Sequence, residues 1–309
     1  MSRAVPIIDI TPFLDGSDPD RVVREVDGAC RELGFLVISG HGVSSDVLDR
    51  GVGAMRSFFA QPLEQKSAHA ARGYSSGYSE FANMSLGQSL GEAAPADLRE
   101  GFSVKRRDIL NPASPAWGDE TETREMRLAL SDYYFAMNAV ADTLMQIFAV
   151  ALGRDRDYFE QFTYRHDSNL GIFHYPPMQT APLPGQLRGG THTDFGGVTV
   201  LHASPSVEGL QVWNGDDWED VPVVEGTFVI NLGDLMKRWT NDVWNSTLHR
   251  VANPVDGAWD SDRLSLAFFH QPNRDALIES LDPSSSPKYP TITSGEHFVA
   301  KIEAMRVRA

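Results

Sequence analysis

From about Asn169 to Phe269 the chain reads as a succession of short β-prone runs broken by Gly, Pro, Asn and Asp. These runs are Val198-Thr199-Val200-Leu201, Leu210-Gln211-Val212-Trp213, Thr227-Phe228-Val229-Ile230-Asn231-Leu232 and Leu264-Ser265-Leu266-Ala267-Phe268-Phe269. Strands this short and this closely spaced suggest a sandwich or barrel, of which the double-sheet jelly roll is one solution. The preceding stretch has a different period. Met126, Leu130, Tyr134, Met137, Ala141, Leu144, Phe148 and Leu152 recur at threes and fours, which predicts one long helix over about 121–152, with Gly153 at its end. Such a helix can serve as the spine on which a sheet packs. The expected fold is therefore mixed α+β: a jelly-roll core with flanking helices.

The N-terminal third alternates elements. Pro6-Ile7-Ile8-Asp9-Ile10 reads as a strand. Asp18-Pro19 reads as a helix start, with Asp18 as N-cap and Val22, Val26, Ala29, Cys30 and Leu33 on the apolar face. Gly34 ends that helix, and Phe35-Leu36-Val37-Ile38 reads as a buried strand. A second helix runs through Val47, Leu48, Met55 and Phe58-Phe59. Residues 70–120 are rich in Gly, Ser, Ala and Pro and read as loops and short strands, a texture that often carries binding residues.

Inside the β-rich region, His192 and Asp194 lie two positions apart. On a strand both would project to one face. His249 offers a second imidazole. Two His and one carboxylate with open positions form the facial triad of non-heme Fe(II) oxygenases, whereas a closed four-ligand set would suggest structural zinc. Farther on, Arg263 and Ser265 would also share a strand face. A guanidinium fork beside a hydroxyl suits a carboxylate, and a buried Arg needs such a partner to offset its desolvation.

The chain resembles the isopenicillin N synthase-like family of Fe(II)- and 2-oxoglutarate-dependent oxygenases over nearly its whole length. The likeness begins with Pro6-Ile7-Ile8-Asp9, Gly34-Phe35-Leu36-Val37, His41-Gly42-Val43, Phe58-Phe59 and Lys66. It continues in order through His174-Tyr175-Pro176-Pro177, His192-Thr193-Asp194, Gly209-Leu210-Gln211-Val212, Asn231-Leu232-Gly233-Asp234, His249-Arg250-Val251 and Arg263-Leu264-Ser265. The resemblance implies a distorted jelly roll, or double-stranded β-helix. It implies that His192, Asp194 and His249 hold Fe(II), and that Arg263 and Ser265 grip the distal carboxylate of 2-oxoglutarate, with Tyr175 near the co-substrate or substrate. It implies one oxygenase domain over 1–309, with an N-terminal family segment over 5–115 and a catalytic core over 165–275. O2 would complete the set, and the expected reaction is hydroxylation of an amino acid, peptide or natural-product intermediate in secondary metabolism. One position departs: many relatives have Asn where this chain has Phe173. On a strand His174 would face away from Tyr175, so it is read as structural.

Two other readings stay open. One is a same-fold oxidase that cyclises or desaturates without 2-oxoglutarate; isopenicillin N synthase itself uses its Arg-x-Ser pair for its substrate's carboxylate. The other is a non-catalytic metal-binding jelly-roll sensor. Candidate substrate contacts are Arg72, Tyr74, Tyr78, Arg99 and Phe102 in the loop-rich segment, and Phe269 beyond Arg263.

Charge narrows the partner. Twenty-seven basic against 42 acidic residues give a formal net charge of −15, which argues against a phosphate-backbone partner and leaves a small molecule. One cysteine, Cys30, excludes an intrachain disulfide. No apolar leader precedes Asp9, and no run approaches the ~18 apolar residues of a spanning helix. The protein is expected in the cytoplasm, as a monomer or weak homo-oligomer, without membrane or nucleic-acid binding.

Overall fold

The computed structural model describes residues 4–71, 76–91, 94–118, 120–178, 180–203, 209–254, 260–281 and 285–306. Its two main sheets are built from β1 (Ile7–Asp9), β2 (Phe35–Ser39), β3 (Gly77–Ser79), β4 (Glu100–Lys105), β5 (Asn169–Tyr175), β6 (Gly189–His192), β7 (Val198–Ala203), β8 (Leu210–Trp213), β9 (Trp218–Asp220), β10 (Phe228–Leu232), β11 (His249–Val251) and β12 (Arg263–His270). The larger sheet has the order β1-β2-β10-β7-β12-β5-β4-β3, and the smaller β6-β11-β8-β9. β1 lies parallel to β2; the other pairings are antiparallel. The expected jelly-roll core is present. Strands from the first third of the chain extend its larger sheet at both ends.

The pleat of each strand sorts side chains between two compartments. On β12, Leu264, Leu266 and Phe268 join the large apolar cluster under the helices, while Arg263, Ser265, Ala267 and Phe269 face the space between the sheets. β10 divides likewise, with Phe228, Ile230 and Leu232 outward and Val229 and Asn231 inward. On β2, Leu36 and Ile38 belong to the helix side, and Phe35 and Val37 to the inner cluster. With both faces covered, these strands read as continuous apolar runs rather than alternating ones. Each fully buried Leu or Phe contributes about 1.5–3 kcal/mol relative to exposure.

Helices close the outer face. Helix Pro19–Glu32 starts where Asp18 accepts a hydrogen bond from the Arg21 amide at 3.2 Å and Pro19 takes the first turn. It buries Val22, Val26, Ala29 and Cys30. Helix Ser45–Phe59 and the first helix both pack on the spine helix Glu120–Ala151. The spine buries Leu130, Tyr134, Met137, Ala141, Leu144 and Phe148, the residues its period selects. Among the described residues, its segment Thr123–Ala151 is the one helix long and apolar enough to cross a membrane, with 50% of its apolar window buried. That apolarity serves the core, because the buried residues lie in the cluster shared with the larger sheet.

Candidate metal centre and its cavities

β6 and β11 are hydrogen-bonded neighbours, with His192 directly opposite His249. The two imidazoles lie 4.2 Å apart, centroid to centroid. The third member arrives differently from the strand-face expectation. Asp194 sits in the loop that follows β6, which turns its carboxylate back toward the two rings. Asp194 Oδ1 is 3.7 Å from His192 Nε2 and 3.8 Å from His249 Nε2. The donor atoms of the three residues all lie within 4.8 Å of one another, close enough for one cation to touch all of them.

Backbone carbonyls set the tautomers. His192 Nδ1 is 2.8 Å from the Gly190 carbonyl, and His249 Nδ1 is 3.0 Å from that of Thr247. A carbonyl only accepts, so each Nδ1 carries the proton and each Nε2 presents a lone pair to the centre. Burial, with the neighbouring His249, holds the His192 imidazole neutral by lowering its pKa. Burial alone would raise the Asp194 pKa. His249, His192 and the hydrogen bonds from Thr199 and Asn231 outweigh it, so the carboxylate stays ionised. Thr199 Oγ1 donates to Asp194 Oδ2 at 2.5 Å and Asn231 Nδ2 donates to the same oxygen at 2.7 Å. Oδ2 is thereby satisfied and Oδ1 left for a cation. No Lys or Arg among the described residues pairs with Asp194. Two imidazole nitrogens, one carboxylate and open space beside them suit a divalent cation that keeps exchangeable positions.

The loop is clamped from β10. The Asp234 amide donates to the Asp194 carbonyl at 2.7 Å, that of Gly233 to Gly197 at 3.0 Å and that of Leu235 to Gly196 at 3.1 Å. A Cβ at Gly233 would stand 2.4 Å from the Gly196 carbonyl oxygen, so only glycine admits this approach. The Asp234 side chain accepts from Thr193 at 3.1 Å, from Ser246 at 2.7 Å and from Lys301 of the C-terminal helix Ser294–Arg306.

Arg263 faces the inner chamber and is 1% exposed. Its Nη1 donates to Ser265 Oγ at 3.2 Å, and its Cζ stands 4.8 Å from the centroid of the Tyr175 ring. Its Nε has no hydrogen-bond partner, and no carboxylate ion-pairs with it among the described residues. A second guanidinium, Arg188, is equally buried; its Nη2 donates to the Ser261 carbonyl at 2.6 Å, and its Nε is also without a partner. Burial lowers the pKa of both. Of the two, Arg263 lines the chamber, and an uncompensated buried cation costs several kcal/mol, so its surroundings suit an anion. The residues present therefore fit a dicarboxylate beside a metal.

An outer cavity of about 430 Å3 opens onto the same triad. The inner chamber and outer cavity share His192, Asp194, Leu86, Arg99, Phe173 and Phe269. Of the candidate substrate contacts, Arg99 and Phe269 thus line the cavity, whereas Arg72 and Tyr74 lie outside the described residues. Tyr78 and Phe102 are placed elsewhere. Phe102 pairs in register with Ile172, on the helix side of β4, and packs 4.9 Å from Phe58. Tyr78 donates to Glu100 Oε2 at 2.5 Å. Strand parity is the reason: Gly101 pairs with Phe173 on the cavity side, so Phe102 must face away. No local pattern in the chain pointed to Phe195 and Phe298, which line the cavity from the metal loop and the C-terminal helix.

Comparison with known proteins agrees with this geometry. Residues 5–126 match the model described as the N-terminal region of non-haem dioxygenase in morphine synthesis. Residues 166–272 match that of the 2OG-Fe(II) oxygenase superfamily. The chain is 32% identical to Validamycin A dioxygenase of Streptomyces hygroscopicus subsp. limoneus, over 97% of this chain and 86% of the relative. It is likewise 32% identical to the 2-oxoglutarate-dependent dioxygenase caaD of Aspergillus niger, over 94% and 89%. The crystal structure of a full-length Neurospora crassa protein in complex with alpha-KG and thymine superposes with a TM-score of 0.86 at 28% identity, covering 97% of this chain and 96% of that one.

Proposed function

Because the chain belongs to the 2OG-Fe(II) oxygenase superfamily, we propose that it hydroxylates a small molecule with Fe(II), 2-oxoglutarate and O2, releasing succinate and CO2. The observation that carries this reading is the pairing of an open His–Asp–His centre with a buried guanidinium that has no anionic partner among the described residues. His192, Asp194 and His249 would hold Fe(II). Arg263 and Ser265 would bind the distal carboxylate of 2-oxoglutarate, beside Tyr175. When bound, the metal and keto acid supply the activation of O2 that a protein side chain cannot.

The chain's own residues orient and exclude. The Gly190 and Thr247 carbonyls aim the two imidazoles. Thr199 and Asn231 fix which Asp194 oxygen faces the metal. Phe195, Phe269 and Phe298 keep water from the substrate side. The substrate is proposed to be a small natural product or metabolite, as for the relatives whose names state one.

The organisation is proposed as a single oxygenase domain over 1–309, its 5–115 segment completing the larger sheet around the 165–275 core. The net charge of −15 supports action without nucleic acid or membrane. The single buried thiol accords with a cytoplasmic enzyme working as a monomer or weak homo-oligomer.

Anaerobic addition of Fe(II) and 2-oxoglutarate is expected to give a weak visible charge-transfer band. Arg263→Ala is expected to weaken 2-oxoglutarate binding about 100-fold, the scale of losing one partner of a buried charge pair. Absence of the band, with oxygen consumption independent of 2-oxoglutarate, would replace this reading with that of a same-fold oxidase.

A further inference from the structure

Arg99 stands where the two cavities meet. Its guanidinium lies 4.3 Å above the centroid of the Phe173 ring, the residue that replaces Asn in this chain. Its one charged contact among the described residues is loose: Nε is 3.6 Å from Asp97 Oδ2. That carboxylate is already engaged, accepting from the Leu86 amide at 3.2 Å and the Gly190 amide at 3.0 Å. The terminal nitrogens of Arg99 have no partner among the described residues. With a side chain only 12% exposed, Arg99 is a largely buried cation with unused donors between the two cavities.

The surrounding walls are uncharged. Apart from the metal-ligand residues His192 and Asp194, Arg99 is the one ionisable residue lining the outer cavity among the described residues. Phe173, Phe195, Phe269 and Phe298 supply the apolar surface, and Asn169 and Gln271 polar edges. The space for the two central rings is made by Gly171, where a Cβ would stand 2.9 Å from Phe173 and 3.0 Å from Phe269. In a chain of net charge −15, an anion is not attracted by the surface at large. A guanidinium held over a ring is a local solution, because its remaining N–H donors can bind a carboxylate.

We propose that the substrate is a small carboxylic acid with an apolar or aromatic body. Arg99 binds its carboxylate, and the phenylalanines pack its body and direct a C–H bond toward the metal. The distal carboxylate of 2-oxoglutarate has its own receptor in Arg263, so Arg99 is free for the substrate. This inference rests on the hydroxylase reading and names its substrate class.

The test uses 4-fluorophenylacetate and its neutral counterpart 4-fluorophenylacetamide. Each is titrated by 19F NMR into anaerobic protein loaded with Fe(II) and saturating 2-oxoglutarate. The acid is expected to bind at least about tenfold more tightly than the amide, as a charge-assisted fork does over a neutral contact. In Arg99→Gln that preference should collapse to about onefold, and Arg99→Lys should restore part of it. Comparing the two probes within each variant separates recognition from loss of fold. Failure to form the charge-transfer band on loading would count against the hydroxylase reading itself. A band with no detectable acid binding, or with no acid preference, overturns the assignment of Arg99. Retention of the preference in Arg99→Gln, with weakened 2-oxoglutarate binding, also overturns it, because Arg99 would then serve the co-substrate.

Discussion

At the scale of single residues, the centre depends on an unequal treatment of the two Asp194 oxygens. Oδ2 receives Thr199 and Asn231, and Oδ1 faces the imidazoles. Partners of metal ligands of this kind set ligand orientation, and their loss typically costs 10–100-fold in metal affinity. Asn231→Leu is expected to lower Fe(II) affinity by about that factor while the protein still folds. Anaerobic metal titration with circular dichroism as the folding control measures both, and an unchanged affinity would refute the role. His192-x-Asp194 and Arg263-x-Ser265 were legible in the sequence because each is a short local pattern, whereas His249, 57 residues beyond His192, joined them through the ordered family motifs. Asn231 stood inside a quoted motif without a role. Its task follows only from β10 lying next to β7, which puts Asn231 opposite Thr199.

At the scale of elements, strand parity governs what the cavity contains. The β12 face expected to carry Arg263 and Ser265 together does so, and the same rule sends Phe102 to the helix side of β4. Parity did not place Asp194, because the strand ends at His192 and the loop takes over. That loop is held by the start of helix Asp234–Trp239, where Gly233 passes within contact of the Asp194 and Gly196 carbonyls. Gly233→Ala must push this loop away. The expected result is a loss of about 1–3 kcal/mol of stability, with Fe(II) affinity at least about tenfold lower. Chemical denaturation and metal titration read the two effects; a variant weakened in stability but not in metal binding would show that the clamp does not position Asp194.

At the scale of the whole molecule, a polar network, buried at Lys66 and Glu100 and reaching the surface at Asp262 and Arg56, ties the N-terminal segment to the catalytic core. Glu100 accepts from Lys66 at 2.7 Å and from Tyr78, and lies 2.8 Å from His174 Nδ1. His174 Nε2 is 2.8 Å from Asp262, which also accepts from Arg56 at 3.0 Å. Burial alone would lower the His174 pKa. The hydrogen bonds to Glu100 and Asp262 outweigh burial and raise it, so the ring sits as an imidazolium between two carboxylates. The folded state then holds this proton more tightly than the unfolded chain does. Its stabilisation is complete below the ordinary histidine range and is lost as pH rises through the folded-state value. The difference in unfolding free energy between the wild type and His174→Gln is expected to be on the order of 3 kcal/mol near pH 6 and to shrink toward pH 9. A gap that widens with pH would contradict the charged assignment. The structural role read for His174 from strand direction thus has a specific content that only its partners reveal. By itself the sequence determined the classes of element, the shared face of Arg263 and Ser265, and the chemistry of the triad, because hydrophobic period and short motifs are local properties of the chain. The tertiary structure decided which distant strands adjoin, and therefore that Asn231 bonds Asp194 and that Phe298 and Arg99, rather than Phe102, line the cavity beside the triad. Such pairings join residues far apart in the chain, and no local period encodes them.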